Sequence, residues 1–294
     1  MSHPTAIRWR SGVRGEAVGL RTNSSRLGST ISRVTQEKAD GGGQDRGPIQ
    51  TGSNRKEDTM SPQSKPSIVF CHGIWADGTC FSKLIPPLRA DGHEVITAQY
   101  NLDTAQTDVD SVIRCLGRVS SPAILVGHSY GGAVITAAGT DDRVAGLVYI
   151  AALGMDESET AAGQQAKFAT TPAFGNIEVA DGRIWLLPDG IEDFAGDLSE
   201  EEKQVVWAAA APPATGLFDE KVPGAAWRTK PSAYIVAAND RAVNPELERF
   251  SAERMGATTY EVQSSHVPML SHPDIVLEAI RNLVTTISGS LATA

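Results

Sequence analysis

From residue 67 onward the chain alternates short apolar runs with stretches of helical spacing, and this alternation restricts the fold more than any other feature. The runs "SIVFCHG", "EVITAQY", "SPAILVGH" and "VAGLVYIAA" come first, and "SAYIVAAN" and "TTYEVQS" come later. Between them lie "CFSKLIPPLRADGHE", "QTDVDSVIRCLGR", "GGAVITAAG" and "PELERFSAERM", and "PDIVLEAIRNLVTTIS" closes the series. In "QTDVDSVIRCLGR", Val109, Val112, Ile113 and Leu116 recur at helical spacing and share one face. The runs are almost unbroken in apolar character, as strands are when both faces of a sheet are covered. The pattern predicts an α/β fold, with a doubly wound, mainly parallel sheet of six strands spread over residues 66–290.

The rhythm breaks over residues 154–230. "DLSEEEKQVVWAAAA" carries Ser199 and Glu202 at capping-box spacing, which marks a helix start, and "APPATG" ends that helix. The strand pattern resumes directly afterwards. The insertion is therefore expected to be a helical cap over one edge of the sheet, rather than a second domain with its own task. Residues 1–65 differ again: rich in Gly, Ser, Arg and Gln and poor in large apolar side chains, they cannot offset the entropy of ordering. They are expected to be a disordered tail. One reading makes them an Arg- and Ser-rich targeting or interaction segment, which their acidic residues weaken as a transit peptide. The other makes them an over-extended start, with the true start near Met60.

Charge narrows the partners. Residues 1–59 carry ten Lys/Arg against six Asp/Glu, whereas the rest of the chain carries 16 against 29. An acidic body argues against nucleic acid as a partner, because phosphate binding needs a basic surface. Cys71, Cys80 and Cys115 form no C-x-x-C pair. Their sparse, odd number fits small buried hydrophobes in a reducing compartment, so a cytoplasmic location is expected. No apolar run approaches the roughly 18 residues of a membrane span, so no membrane partner is expected either.

The chemistry centres on "LVGHSYGG", Leu125–Gly132, which contains G-x-S-x-G. The motif is short, but here it follows a buried strand and opens a small-residue helix, the context that makes Ser129 a nucleophile on a strained turn. Gly127 and Gly131 flank it where a Cβ would crowd the adjoining strand or helix. A serine hydroxyl needs a base. Among the six histidines, His266 lies in the loop "SSHVPMLSHPD" between the last strand and the last helix, at the carboxyl edge of the sheet, within reach of Ser129. His128 is next to the serine, but adjacent residues on such a turn point apart. His72 reads as a structural hydrogen-bonding residue. Asp240, after "SAYIVAAN", is the expected acid behind His266, with Asp156 in reserve. The backbone N–H groups of Tyr130 and Ile74 are the expected oxyanion donors. Trp75 and Phe81 are placed either as pocket walls or as core.

"FCHGIW", "LVGHSYGG", "NDRAVNPELERF" and "SSHVPMLSHP" occur in the order found in the α/β-hydrolase superfamily. Over about residues 66–290 the chain resembles its compact branch of small esterases, plant-type methylesterases and hydroxynitrile lyases. The resemblance implies the α/β-hydrolase fold, the cap, the Ser129–Asp240–His266 order and the oxyanion donors. Hydroxynitrile lyases carry threonine and lysine where this chain has Gly73 and Val267, so the groups that handle cyanide are missing. Relatives that use an aspartate nucleophile are set aside by Ser129 itself. The expected activity is hydrolysis of a small carboxylic ester or lactone through an acyl-enzyme, with no cofactor or metal. Two alternatives stand beside it. One is a cofactor-free perhydrolase using the same triad, told apart by comparing water and peroxide as acyl acceptors. The other is a non-catalytic small-molecule binder on this fold, told apart by its failure to react with a fluorophosphonate.

Overall fold

The computed structural model describes residues 65–120 and 122–293. The expectations for residues 1–65 fall outside the described residues, Lys65 excepted. The chain enters through β1 (Ser67–Cys71), every residue of which is buried. A 3-10 turn at Gly78–Phe81 then leads into α1 (Ile85–Ala90). The helix expected over residues 80–94 is thus short and late. Pro86 and Pro87 supply no N–H, so helical hydrogen bonds cannot run back through them, and the helix can only begin there. β2 (Val95–Ala98), α2 (Ala105–Leu116), β3 (Ala123–His128), α3 (Gly131–Ala138) and β4 (Val144–Ile150) follow in strict alternation. Thr104 caps α2 by accepting from the Thr107 N–H.

After β4 the chain forms α4 (Ala161–Gln165), the hairpin β5 (Ile177–Ala180) and β6 (Arg183–Leu186), then α5 (Ile191–Ala195) and α6 (Glu200–Ala208). The insertion expected to be helical therefore also holds an antiparallel hairpin. Its turn is Asp181–Gly182, with φ of 51° and 74°, the left-handed pair that matches the twist of two antiparallel strands. The capping box at Ser199 forms as expected, with side chain and backbone of Ser199 and Glu202 bonded reciprocally.

β7 (Ser232–Ala237), α7 (Pro245–Met255), β8 (Thr258–Val262), α8 (Pro268–Ser271) and α9 (Pro273–Thr293) complete the chain. The main sheet has six strands in the order β2-β1-β3-β4-β7-β8, every neighbouring pair parallel. The order reverses beside β1 and β3, so ligands are expected at the carboxyl ends of these strands. β1 and β3 are buried end to end, and α3 is buried at all eight positions. Its Gly, Ala and Thr side chains allow that close seating on the sheet. Among the described residues no helix is long and apolar enough to cross a membrane.

Candidate active site

Ser129 follows β3 directly and precedes α3, and it holds φ at 54° although it is not glycine. That conformation costs an L-residue about 1–2 kcal/mol. Three backbone bonds hold the turn in place: the Ser129 N–H donates to Ile150 O at 3.1 Å, and Ser129 O accepts from Gly132 and Leu153 at 2.9 and 3.1 Å. The flanking glycines are sterically required. A Cβ on Gly127 would lie 2.5 Å from Gly131 O, and one on Gly131 would overlap the Cys71 carbonyl of β1.

His266 and Asp240 reach the same place from the ends of β8 and β7. Their side chains are joined by His266 Nδ1 to Asp240 Oδ2 at 2.5 Å, and both are buried. The bond assigns the Nδ1 proton to the carboxylate side and leaves Nε2 as the free acceptor. The other Asp240 oxygen, Oδ1, accepts from the Ala242 and Val243 N–H groups at 2.7 and 2.9 Å, which locks the carboxylate in one orientation. Ser129 and His266 line one cavity. Asp156 does not take part: it pairs with Arg228 at 2.5 Å on the surface.

His128 points away from the serine, as its neighbouring position demands. Its Nε2 lies 2.8 Å from His266 O, so Nε2 carries the proton and donates. Burial, with His266 close by, holds His128 well below the usual histidine range, so it stays neutral. It supports the His266 loop and is not a base. His72 stacks on Tyr100 with centroids 4.1 Å apart and donates from Nδ1 to Gly73 O at 2.8 Å.

The Ile74 and Tyr130 N–H groups have no acceptor among the described residues. Both residues line the cavity that contains Ser129. Two unpaired donors beside a nucleophile are suited to a developing oxyanion. A Cβ on Gly73 would lie 2.6 Å from Ser129 Cβ, so only glycine lets this loop come so near. Trp75, the next residue but one, holds φ at 52° and is 1% exposed. It lines the cavity, and its Nε1–H donates to Ile184 O in β6 at 2.9 Å. Phe81 stacks on Phe70 at 4.4 Å and belongs to the core.

The cavity is small, about 20 Å³, and its remaining walls are mostly apolar, among them Leu153, Phe174, Phe194, Leu217 and Phe218, with Gln165 as a polar wall residue. Phe194 packs edge-on to His266 with centroids 4.9 Å apart. It also lines a second cavity of about 450 Å³ between α6 and the Asp77–Lys83 segment. None of these phenylalanines was legible as a wall residue, because they lie in an insertion without periodicity. Two carboxyl groups were also missed. Asp197, just after α5, accepts from the Ser265 N–H at 3.0 Å and from the Ser265 hydroxyl, tying the insertion to the residue before His266. Burial opposes its charge, but these bonds win and hold Asp197 below the usual carboxylate range. Glu248 on α7 is wholly buried beside Asp240. Among the described residues no group of three or more His, Cys, Asp or Glu could hold a metal.

Comparisons with known proteins place the chain among hydrolases of this fold. A 101-residue stretch is 36% identical to a carbendazim hydrolyzing esterase of Nocardioides sp. (strain SG-4G), covering 29% of this chain and 40% of that protein. A longer match, 27% identical over 240 residues, is to a pyrethroid hydrolase of Sphingobium wenxiniae, covering 72% of this chain and 85% of the relative. Among solved structures, a pyrethroid hydrolase from Sphingobium faniae JZ-2 superposes with a TM-score of 0.65 at 23% identity, over 75% of this chain and 97% of that one. The model of the alpha/beta hydrolase family matches residues 68–279, from within β1 to within α9. This chain belongs to the alpha/beta hydrolase family.

Proposed function

We propose that the protein hydrolyses small-molecule carboxylic esters with apolar substituents, through an acyl-enzyme on Ser129. The observation that carries this reading is the convergence of Ser129, the His266–Asp240 pair and two unbonded N–H groups on one apolar cavity. His266 Nε2 takes the Ser129 proton as Oγ attacks the carbonyl carbon, and Asp240 stabilises the imidazolium that forms. The Ile74 and Tyr130 N–H groups receive the oxyanion. His266 then returns the proton to the departing alcohol, and water, activated by the same imidazole, releases the acid. The mainly aromatic and aliphatic walls favour apolar, ring-bearing substituents, since a polar one would lose hydration for few partners. The relatives' names, a carbendazim hydrolyzing esterase and a pyrethroid hydrolase, support ester hydrolysis.

The test is Ser129→Ala assayed on p-nitrophenyl acetate and on aryl esters of increasing size. kcat is expected to fall by at least about 10³-fold with the fold unchanged. Undiminished turnover by the folded variant refutes the assignment.

A further inference from the structure

Glu248 stands out among the buried groups that the proposed reaction does not use. It lies on α7 with its side chain fully buried. Its Oε2 accepts from the Ala237 N–H, at the end of β7, at 2.9 Å. Its Oε1 receives no hydrogen bond. A buried carboxylate oxygen left without a donor carries a large desolvation cost, and native structures rarely tolerate one.

The neighbour of Glu248 removes the anomaly. Glu248 and Asp240 meet at Ala237, whose N–H donates to Glu248 Oε2 at 2.9 Å and whose carbonyl accepts from the Asp240 N–H at 3.1 Å, so the two buried carboxyl groups are neighbours. Two acceptor-only carboxylates cannot bond, and two buried negative charges in contact repel strongly. One proton shared between them turns repulsion into a hydrogen bond. Its location follows from the donors on each side. Asp240 already receives the Ala242 and Val243 N–H groups and the His266 Nδ1–H, three donors that require its oxygens to act as acceptors. Glu248 receives one, from Ala237. We propose that Glu248 is a positioning residue for the triad, an un-ionised acid whose Oε1–H donates to Asp240.

Other charged and titratable groups around Glu248 do not displace this assignment. Arg249, its chain neighbour, forks onto Glu261 at 2.6 and 3.1 Å and is half exposed, so its charge is largely spent there. Tyr234 of β7 keeps its phenol, which donates to Ala152 O and is pushed well above the usual range by burial. Burial first, and the Asp240 charge second, push the Glu248 carboxyl itself well above the usual range. The pair then holds a single negative charge, which belongs to Asp240 and faces His266. Glu248 braces the aspartate from behind and holds the carboxylate in place against His266.

This inference rests on the triad reading, and a readout free of turnover keeps the two separable. Infrared difference spectra of the whole protein at about pH 8, wild type minus Glu248→Gln, are expected to show the C=O stretch of an un-ionised carboxyl. Its absence overturns the proposal whether or not the protein cleaves esters. In ester hydrolysis, Glu248→Gln keeps a donor for Asp240 and an acceptor for Ala237. Its kcat is expected to stay within about threefold of wild type, the spread among neutral hydrogen bonds. The acid limb of its pH profile is expected to move by less than about half a unit. Were Glu248 charged, the glutamine would remove an anion beside the Asp240–His266 pair, and the limb would fall by about one unit or more, which overturns the proposal. Glu248→Leu, which cannot donate, is expected to lose about ten- to a hundredfold in kcat with little change in KM. A folded Glu248→Leu with wild-type kcat overturns the proposal too. If the leucine variant does not fold, the glutamine variant and the infrared band decide.

Discussion

Asp108 gives a sharp test of how this site is held up from behind. It sits on α2, wholly buried, and its Oδ2 accepts from the Tyr130 hydroxyl at 3.0 Å. Tyr130 is the residue whose backbone N–H is assigned to the oxyanion. Burial pushes the Asp108 carboxyl up to about 7, and the Tyr130 bond only partly offsets it. The raised value means that the folded state binds the proton more tightly than the unfolded chain, whose carboxyl titrates near 3.8. Between those two values the unfolded chain has already released the proton while the folded protein keeps it. Stability therefore falls as pH rises through this window and levels off above it. The difference of about three units corresponds to a loss of at most about 4 kcal/mol across the window, at about 1.4 kcal/mol per unit. Asp108→Asn removes the titration while keeping an acceptor for the Tyr130 hydroxyl. The measurement is the melting temperature of both proteins at about pH 5 and about pH 8. Whatever fixed offset the substitution brings, the asparagine variant is expected to gain on wild type between the two pH values. Between about pH 5 and about pH 8 about two units of the window are crossed, or about 2.8 kcal/mol, and at about 2–4 °C per kcal/mol for a domain of this size the gain is about 6–11 °C. Identical pH dependence in the two proteins would refute the argument and place a charged Asp108 in the fold at neutral pH.

The other tests act on the site directly. Asp240→Asn should leave the fold intact but lower kcat by about 10³–10⁴-fold, because an amide next to His266 Nδ1 no longer favours the tautomer with a free Nε2; steady-state kinetics on an aryl ester reads it. Gly131→Ala should destabilise by at least about 3 kcal/mol in urea unfolding, since its Cβ would run into the rigid Cys71 carbonyl. Phe194→Ala should cost about 3–5 kcal/mol of stability. It should also raise the ratio of kcat/KM for bulky over small esters, because Phe194 divides the two cavities.

What could be read from the residues, and what could not, separates along one physical line. Ser129, Asp240 and His266 each follow a sheet strand, and strands announce themselves by apolar runs whose ends can be read to within a residue or two. Once the sheet is parallel, those ends share one edge, so the site assembles from local signals alone. The Ile74 and Tyr130 donors follow in the same way, from loops beside β1 and β3. α1 misled because proline acts on hydrogen bonds four residues back, a constraint that composition alone does not display. The β5–β6 hairpin was signalled by Asp181–Gly182, but its strands are short and half exposed, with little periodicity to support the turn.

The wall residues and the two hidden carboxyls were illegible for a different reason. Phe174 and Phe194 pack on Trp75, Phe194 also on His266, and Phe218 on Phe174; the contacts with Trp75 and His266 span a chain separation that no local pattern encodes. Asp197 meets Ser265, 68 positions away, and nothing around Asp197 marks it as other than a helix-end residue. Glu248 sits on an otherwise polar helix, between Leu247 and Arg249, where a glutamate reads as solvent-facing. The reacting groups are thus held by the frame, while the insertion and α7 supply shape and electrostatic support through long-range contacts. The insertion phenylalanines make none of the bonds that orient Asp240 and the Ser129 turn, which come from the Ala242, Val243, Ile150, Gly132 and Leu153 backbone. Substitutions among the insertion phenylalanines should therefore move the preference among esters far more than the limiting rate on the smallest one.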